Sequence, residues 1–196
     1  MTDGAVFEAE AFINTTGAWC AELAKTVDVA LPVEPMSRES YFFRCNASVE
    51  PLPFIKTETD LAFRPEGQGY VGGVPDWSEK PGWNFSVSAR RFDDVVWPAL
   101  AHRIPAMQSI RLERSWRGHY ARSVLDYSPI LGHCEGVLDN FYLANGFSGH
   151  GIMHAPAVGR GLAEHVVNGA YDVLDLSCFG YRRILENCPY REKGII

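Results

Sequence analysis

Ten consecutive residues, Asn145-Gly146-Phe147-Ser148-Gly149-His150-Gly151-Ile152-Met153-His154, concentrate more chemical potential than any other stretch of the chain. Gly146, Gly149 and Gly151 lie between a short apolar run and an amphipathic segment. Glycine there lets the backbone turn sharply and approach a ligand closely. A bend that opens a helix also brings free N–H groups and the positive end of the helix dipole to one point. Such a point stabilises negative charge on a bound ligand. A plain tight strand-to-helix connection would use the same residues, so composition alone leaves both readings open.

Other candidate motifs carry less. His150 and His154 have the four-residue spacing of a helical metal pair, but Pro156 prefers the first turn of a helix, which leaves His150 ahead of it. No acidic or cysteine partner stands at ligand spacing, so no metal is expected. Gly67-Gln68-Gly69-Tyr70-Val71-Gly72 matches the G-x-G-x-x-G dinucleotide fingerprint letter for letter. That fingerprint works only where a helix opens on it and takes the pyrophosphate. Here Gly73-Val74-Pro75-Asp76 follows, which cannot start a sustained helix, so a β-hairpin is expected. No other candidate for ADP-binding glycines occurs.

The elements that must position these residues follow from hydrophobic patterning. Val6 to Thr15 reads as a strand, Asn14-Thr15-Thr16-Gly17 as a turn, and Trp19, Leu23 and Val27 as one face of a helix. After the break at Leu31 to Pro35, strand candidates cover residues 41–45, 54–56, 61–64 and 70–74, with turn residues between them. Phe92 to Arg103 reads as a helix that Pro98 kinks or ends. Ile110 to Val124 suits one long strand or two, and residues 126–132 suit a turn into a short strand. Phe141 to Ala144 suits a short buried strand. A helix with Val158, Leu162 and Val166 on one face follows and closes at Asn168-Gly169. A last short helix is expected over residues 181–186.

Composition bounds the class. With 196 residues, 46% of them hydrophobic, the chain can bury a real core, and size favours one compact unit. The formal charge of −6 comes from scattered acids, which argues against nucleic acid and against an anionic membrane surface. Cys20, Cys45, Cys134, Cys178 and Cys188 form no CxxC pair, so a reducing compartment fits best. No apolar run reaches membrane-span length and no basic leader precedes one, so a soluble, cytoplasmic protein is expected.

The bend from Asn145, continued through Ala155-Pro156-Ala157-Val158-Gly159-Arg160-Gly161, resembles the flavin-contacting segment of the D-amino acid oxidase-like superfamily. The likeness is to its sarcosine oxidase and dimethylglycine dehydrogenase branch, within which the wording around Phe147 and the closing Gly194-Ile195-Ile196 resemble a sub-branch of FAD-dependent oxidoreductases linked to complex I assembly. Asn14-Thr15-Thr16-Gly17-Ala18-Trp19 resembles a second FAD contact, near the pyrophosphate and ribityl chain. Asp126 with Pro129 and Gly132 resembles the D-x-x-P-x-x-G turn, and Arg64-Pro65-Glu66 with Gly67 to Gly73 a substrate-domain hairpin. The resemblance spans nearly all of this chain and about half of a full family member.

What the resemblance implies is an FAD site built from Gly17, Ala18, Trp19, Gly118, Gly146, Phe147, Ser148, Gly149, His150, Gly151, Ile152 and Met153. The branch's flavin-linking cysteine falls at Gly118, so FAD would be noncovalent. A carboxylate-binding arginine of related oxidases falls at Tyr120, and a substrate-gripping lysine at Met153, so a primary α-amino acid is less favoured. No lysine for oxygen reduction matches near Gly69 to Gly73, which leaves a dehydrogenase as open as an oxidase. Tyr41, His119, Tyr120 and Met153 are the candidates for the substrate face, with His119 and Tyr120 closest to the chemistry. A buried tyrosine with a satisfied hydroxyl is an equal alternative for Tyr41 and Tyr120.

The expected fold is α+β, a mostly antiparallel substrate-domain sheet with flanking helices (residues 31–122) beside pieces of an FAD-binding domain (1–30 and 123–196) that lacks its amino-terminal βαβ unit. The expected function is oxidation of a C–N bond in a small amine or amino acid by hydride transfer to flavin. A non-catalytic assembly or binding protein, or an inactive truncated product, are the alternatives, and the missing amino-terminal half or a second copy are the expected partners.

Overall fold

The computed structural model describes residues 4 and 6–192, so the closing Gly194-Ile195-Ile196 lies outside the described residues. Strand β1 (Phe12–Asn14) runs through a 3-10 turn (Gly17–Trp19) into helix α1 (Cys20–Lys25). The strand expected from Val6 shrinks to three residues because, among the described residues, its pairing is between Phe12–Asn14 and Phe141–Leu143. Val6 and Phe7 lie exposed outside it. The inner face of α1 is also not the expected one. Cys20 and Ala24 are buried, whereas Trp19 and Val27 are exposed, since small side chains let the short helix sit close to the sheet.

Strand β2 (Val33–Cys45) starts eight residues earlier than its aromatic run suggests and carries Pro35 within it. Strands β3 (Ile55–Lys56), β4 (Ala62–Glu66) and β5 (Gly69–Gly73) pair antiparallel in succession. The G-x-G-x-x-G segment is the β4–β5 hairpin, with Gly67 at φ +54° in its turn. Its glycines answer to packing rather than to phosphate. A Cβ at Gly72 would stand 2.2 Å from the Ala62 carbonyl oxygen, and one at Gly69 2.6 Å from that of Phe43.

A wide π-type turn (Phe92–Val96) runs unbroken into helix α2 (Trp97–Arg103), so the helical stretch expected over residues 92–103 forms, and Pro98 stands inside it, in the first turn of α2, rather than at its end. Proline has no N–H to give the helical ladder, and the wider turn ahead of it takes up that lack. Strand β6 (Ile110–Ser123) is continuous. Strands β7 (Ile130–Cys134) and β8 (Leu138–Asn145) precede helices α3 (Gly151–Asn168) and α4 (Arg182–Leu185). Helix α3 closes on Gly169, at φ +75°, whose N–H bonds the His165 carbonyl. Pro156 sits in the second turn of α3, not the first. The glycine bend sets the helix start, and the carbonyl left without its N–H donor belongs to the exposed Ile152.

The chain divides into two compact units, where size alone favoured one. The first comprises the residues through Pro35 and those from Tyr120 onward. Its sheet has the order β1-β8-β7, with β1 parallel and β7 antiparallel to β8. Alternation along the strands gives the sheet two apolar faces. Ile130, Phe141 and Leu143 pack with Cys20, Ala24 and Tyr181, while Leu131 packs with Val158 and Leu162 of α3. The second unit, Met36–His119, holds a sheet of order β3-β4-β5-β2-β6. Its core joins Tyr41, Phe43, Leu61 and Phe63 to Phe92, Val96 and Leu100. The architecture is the α+β class with a mostly antiparallel sheet.

Candidate functional site

Strands β1 and β8 are parallel, and Asn14 stands opposite Leu143, so both strands end at nearly one level. Each then leaves the sheet through a tight loop into a helix. In sheets with parallel strands, ligands bind in the crevice outside the carboxyl ends. Two buried asparagines fix these loops. Asn145 donates from Nδ2 to the Asn14 carbonyl at 2.9 Å. Asn14 donates from Nδ2 to the Cys20 carbonyl at 3.0 Å and accepts at Oδ1 from the Thr16 N–H (3.2 Å) and hydroxyl (2.8 Å). The strand-to-helix path from Asn14 to Cys20 is therefore held by one side chain, and the second loop is tied to it by another.

The Gly146–His150 bend is anchored on its other side to the end of β6. The Ser148 N–H donates to the Ala121 carbonyl at 2.9 Å, and its hydroxyl accepts from the Ser123 N–H at 3.1 Å while donating to the Gly146 carbonyl at 3.2 Å. Positive φ at Gly146 (+71°), Ser148 (+50°) and Gly149 (+104°) makes the turn. Gly149 has a second constraint, because a Cβ there would lie 2.9 Å from the Tyr120 ring. No side chain caps α3 and its first turn holds no acid, so its leading N–H groups and dipole are available to an electron-rich ligand.

The sequence-selected residues separate into two groups. Gly17 (φ +57°), Ala18 and Trp19 form the first loop, with Ala18 buried and Trp19 53% exposed. Ile152 and Met153 are 87% and 55% exposed on the first turn of α3. His150 and Ser148 are buried, and Phe147 packs against the cluster beneath α3. The His150 and His154 rings lie 5.8 Å apart at 21°, and no group of three metal-capable side chains occurs among the described residues. All of these, with Tyr120, belong to the first unit.

Tyr41, Gly118 and His119 belong to the second unit. Tyr41 is a correction: it is 0% exposed, its ring packs 5.3 Å from Phe92, and its hydroxyl donates to Glu39. Burial, then the Glu39 carboxylate, pushes its phenol far up, so it is a core tyrosine with a satisfied hydroxyl and offers no face to a substrate. His119 and Tyr120 are neighbours on one strand and so point to opposite faces. The His119 ring lies 4.5 Å from Phe85 and 5.1 Å from Trp83. Burial, then the Arg117 charge, lowers its pKa. Only Tyr120 lies against the glycine bend. Gly118 has open space where a Cβ would be.

The residues present fit an FAD ring. A wholly buried carboxamide oxygen, Oδ1 of Asn145, has no hydrogen-bond partner, and an uncapped helix opens on a glycine-lined bend beside it. The D-x-x-P-x-x-G segment has a different duty. Asp126 accepts from Arg183 at Nε (2.9 Å) and Nη2 (3.2 Å), from the Ser128 and Tyr190 N–H groups, and from the Ser123 hydroxyl. Burial raises the Asp126 pKa, but the Arg183 bonds and the backbone donors outweigh it and hold the carboxyl below its ordinary value. Arg183 also binds the Ser128 and Pro129 carbonyls, so the motif is a latch on the sheet.

Sequence reasoning missed Asn14 and Asn145 as side chains with a task, although both stand in the motifs it singled out. The available signal was an asparagine closing an apolar strand, where no solvent would satisfy it.

A model of the family described as "FAD dependent oxidoreductase" (DAO) matches residues 1–165. The chain is 36% identical to FAD-dependent oxidoreductase domain-containing protein 1 of Xenopus laevis over 96% of its own length and 41% of that protein's. It is 26% identical to mitochondrial dimethylglycine dehydrogenase of Mus musculus, covering 86% of this chain and 22% of that one. Among solved structures, L-proline dehydrogenase from P. horikoshii aligns with a TM-score of 0.77 at 24% identity, over 90% of this chain and 47% of that one. Glycine oxidase from Geobacillus kaustophilus aligns with a TM-score of 0.75 at 24% identity, over 91% and 47%. The chain thus spans less than half the length of these relatives.

Proposed function

The chain belongs to the FAD dependent oxidoreductase (DAO) family, and on that premise we propose that it forms the flavin-ring and substrate-binding part of an enzyme that oxidises a C–N bond of a small amine or amino acid. The observation that carries this reading is the pair of loops leaving the parallel strands β1 and β8 side by side, one of them opening an uncapped helix. On this reading residues 1–30 and 123–196 are cofactor domain and residues 31–122 substrate domain.

The chemistry that FAD would supply here is acceptance of a hydride from the carbon beside an amine nitrogen. The chain's own residues bind and orient. The N–H groups of Gly151, Ile152 and Met153 and the α3 dipole would favour negative charge on the bound cofactor, an electrostatic contribution that is preorganised because the bend is anchored to β6. Gly17, Ala18 and Trp19 would hold the pyrophosphate and ribityl chain. Tyr120, seated on Gly149, presents its ring or hydroxyl to an amine. With glycine at position 118, no thioether can form there, and the cofactor would be held noncovalently.

The other edge of β1 is unpaired among the described strands, and Phe12 and Ile13 are exposed on it. That edge suits a segment such as the amino-terminal half of the longer relatives. The test is the absorbance spectrum of the purified chain with added FAD, alone and with a supplied amino-terminal half. A bound, releasable flavin with shifted absorbance bands supports the proposal, and secondary and tertiary amines are then screened. Absence of flavin under both conditions overturns it and favours a non-catalytic assembly or binding role.

A further inference from the structure

Asn145 is 0% exposed, yet only one end of its carboxamide is used. Nδ2 donates to the Asn14 carbonyl at 2.9 Å, while Oδ1 has no partner. The amide cannot simply be turned over, because that would set Oδ1 against the carbonyl oxygen of Asn14. A buried carboxamide oxygen left unbonded is costly, since it has been taken from water without replacement. It is also the one oxygen among the described buried side-chain atoms that lack a partner, the others being ring or guanidinium nitrogens. Its residue is the last of β8, immediately before Gly146, and its donor end is fixed to the last residue of β1.

We infer that Asn145 is a positioning residue with two halves: Nδ2 clasps the two cofactor-facing loops at fixed spacing, and Oδ1 accepts a hydrogen bond from a hydroxyl or imide N–H that arrives with the flavin. This rests on the proposed flavin site. The clasp half explains why a polar residue closes an otherwise apolar strand, between buried Leu143 and the Gly146 turn. The acceptor half would give this fully buried oxygen the donor that no described residue supplies. Discrimination follows from the same atom. A ligand offering only an acceptor at that point would leave two lone pairs facing each other, so the site favours the donor-rich polyol and imide edges of a flavin.

The test compares wild type, Asn145→Leu and Asn145→Asp in the full chain, with the amino-terminal half supplied if the wild type needs it to take up flavin. FAD affinity is read from fluorescence quenching, and stability from thermal melts with and without saturating FAD. Asn145→Leu removes both halves in a similar volume. It is expected to melt lower without FAD and, per folded molecule, to bind FAD about 3- to 10-fold more weakly, the loss of one neutral hydrogen bond. Buried Asn145→Asp can imitate the carboxamide only when protonated, donating to the Asn14 carbonyl and accepting with its second oxygen. Its FAD affinity should therefore approach that of wild type at low pH and fall as pH rises, while the wild-type affinity changes less. A purely structural role would lower the melts but leave the FAD-induced increment and the affinity of folded protein unchanged, which overturns the acceptor half. An unchanged melt of Asn145→Leu without FAD overturns the clasp. Wild type that binds no flavin in either format overturns the flavin site itself, and the inference with it.

Discussion

Replacing Gly149 with alanine tests whether the bend and Tyr120 are fitted to each other. Gly149 sits at φ +104°, where an L residue is strained by roughly 1–3 kcal/mol. The new Cβ would lie 2.9, 3.2 and 3.3 Å from three atoms of the Tyr120 ring, inside ordinary contact distance. Relieving that overlap moves the ring by a few tenths of an ångström, at a cost of about 1 kcal/mol or more for overpacking. Together the two terms give about 3 kcal/mol. With an m-value of about 2 kcal/mol/M in urea, the unfolding midpoint should fall by about 1.5 M. Tyr120→Ala in the same background removes the overlap but not the φ strain, so a double-mutant cycle should return a coupling of about 1 kcal/mol. Gly151→Ala is the control. Its Cβ would meet Phe147 at an ordinary 3.6 Å within the first turn of α3, and its stability should stay within about 0.5 kcal/mol or rise slightly. A Gly149→Ala midpoint equal to that of Gly151→Ala, or no coupling to Tyr120, would refute the fitted bend.

Two further perturbations follow from the same geometry. Asp126→Ala leaves the Arg183 guanidinium buried without its carboxylate and should cost about 3–5 kcal/mol in denaturant unfolding. The folded-state pKa of Asp126 is lowered, so its contribution is full above the unfolded value of about 4 and is lost as pH falls through the folded value. The variant should therefore show a flatter loss of stability below about pH 4 than wild type, as measured by pH-dependent urea midpoints. A parallel decline in both would refute the latch. Gly72→Ala should destabilise the β4–β5 hairpin by about 3 kcal/mol, because its Cβ would overlap the Ala62 carbonyl. FAD affinity per folded molecule should not change, and a selective loss of FAD binding would revive a phosphate role for those glycines.

The sequence by itself determined much of this protein's local structure. Short runs set off by turn residues marked β4 and β5, alternation marked β6, and the glycine-rich turn with no following helix identified the hairpin despite its fingerprint spelling. The Asn168-Gly169 pair ended α3 where the left-handed residue stands. These features are governed by backbone preferences within a few residues, so they are readable without the partner elements. The bend from Gly146 to Met153 was legible for the same reason. Tertiary structure alone decided what each side chain faces. It cut β1 to the three residues that β8 can pair, and turned Trp19 and Val27 outward because Cys20 and Ala24 fit closer to the sheet. It buried Tyr41 on Glu39, set His119 and Tyr120 on opposite faces, and joined Asp126 to Arg183, 57 residues away. It also placed Asn14 and Asn145, 131 residues apart, within one hydrogen bond of each other. Such pairings depend on strand register and helix seating, which are fixed by contacts between distant segments and leave no periodic signal in the chain.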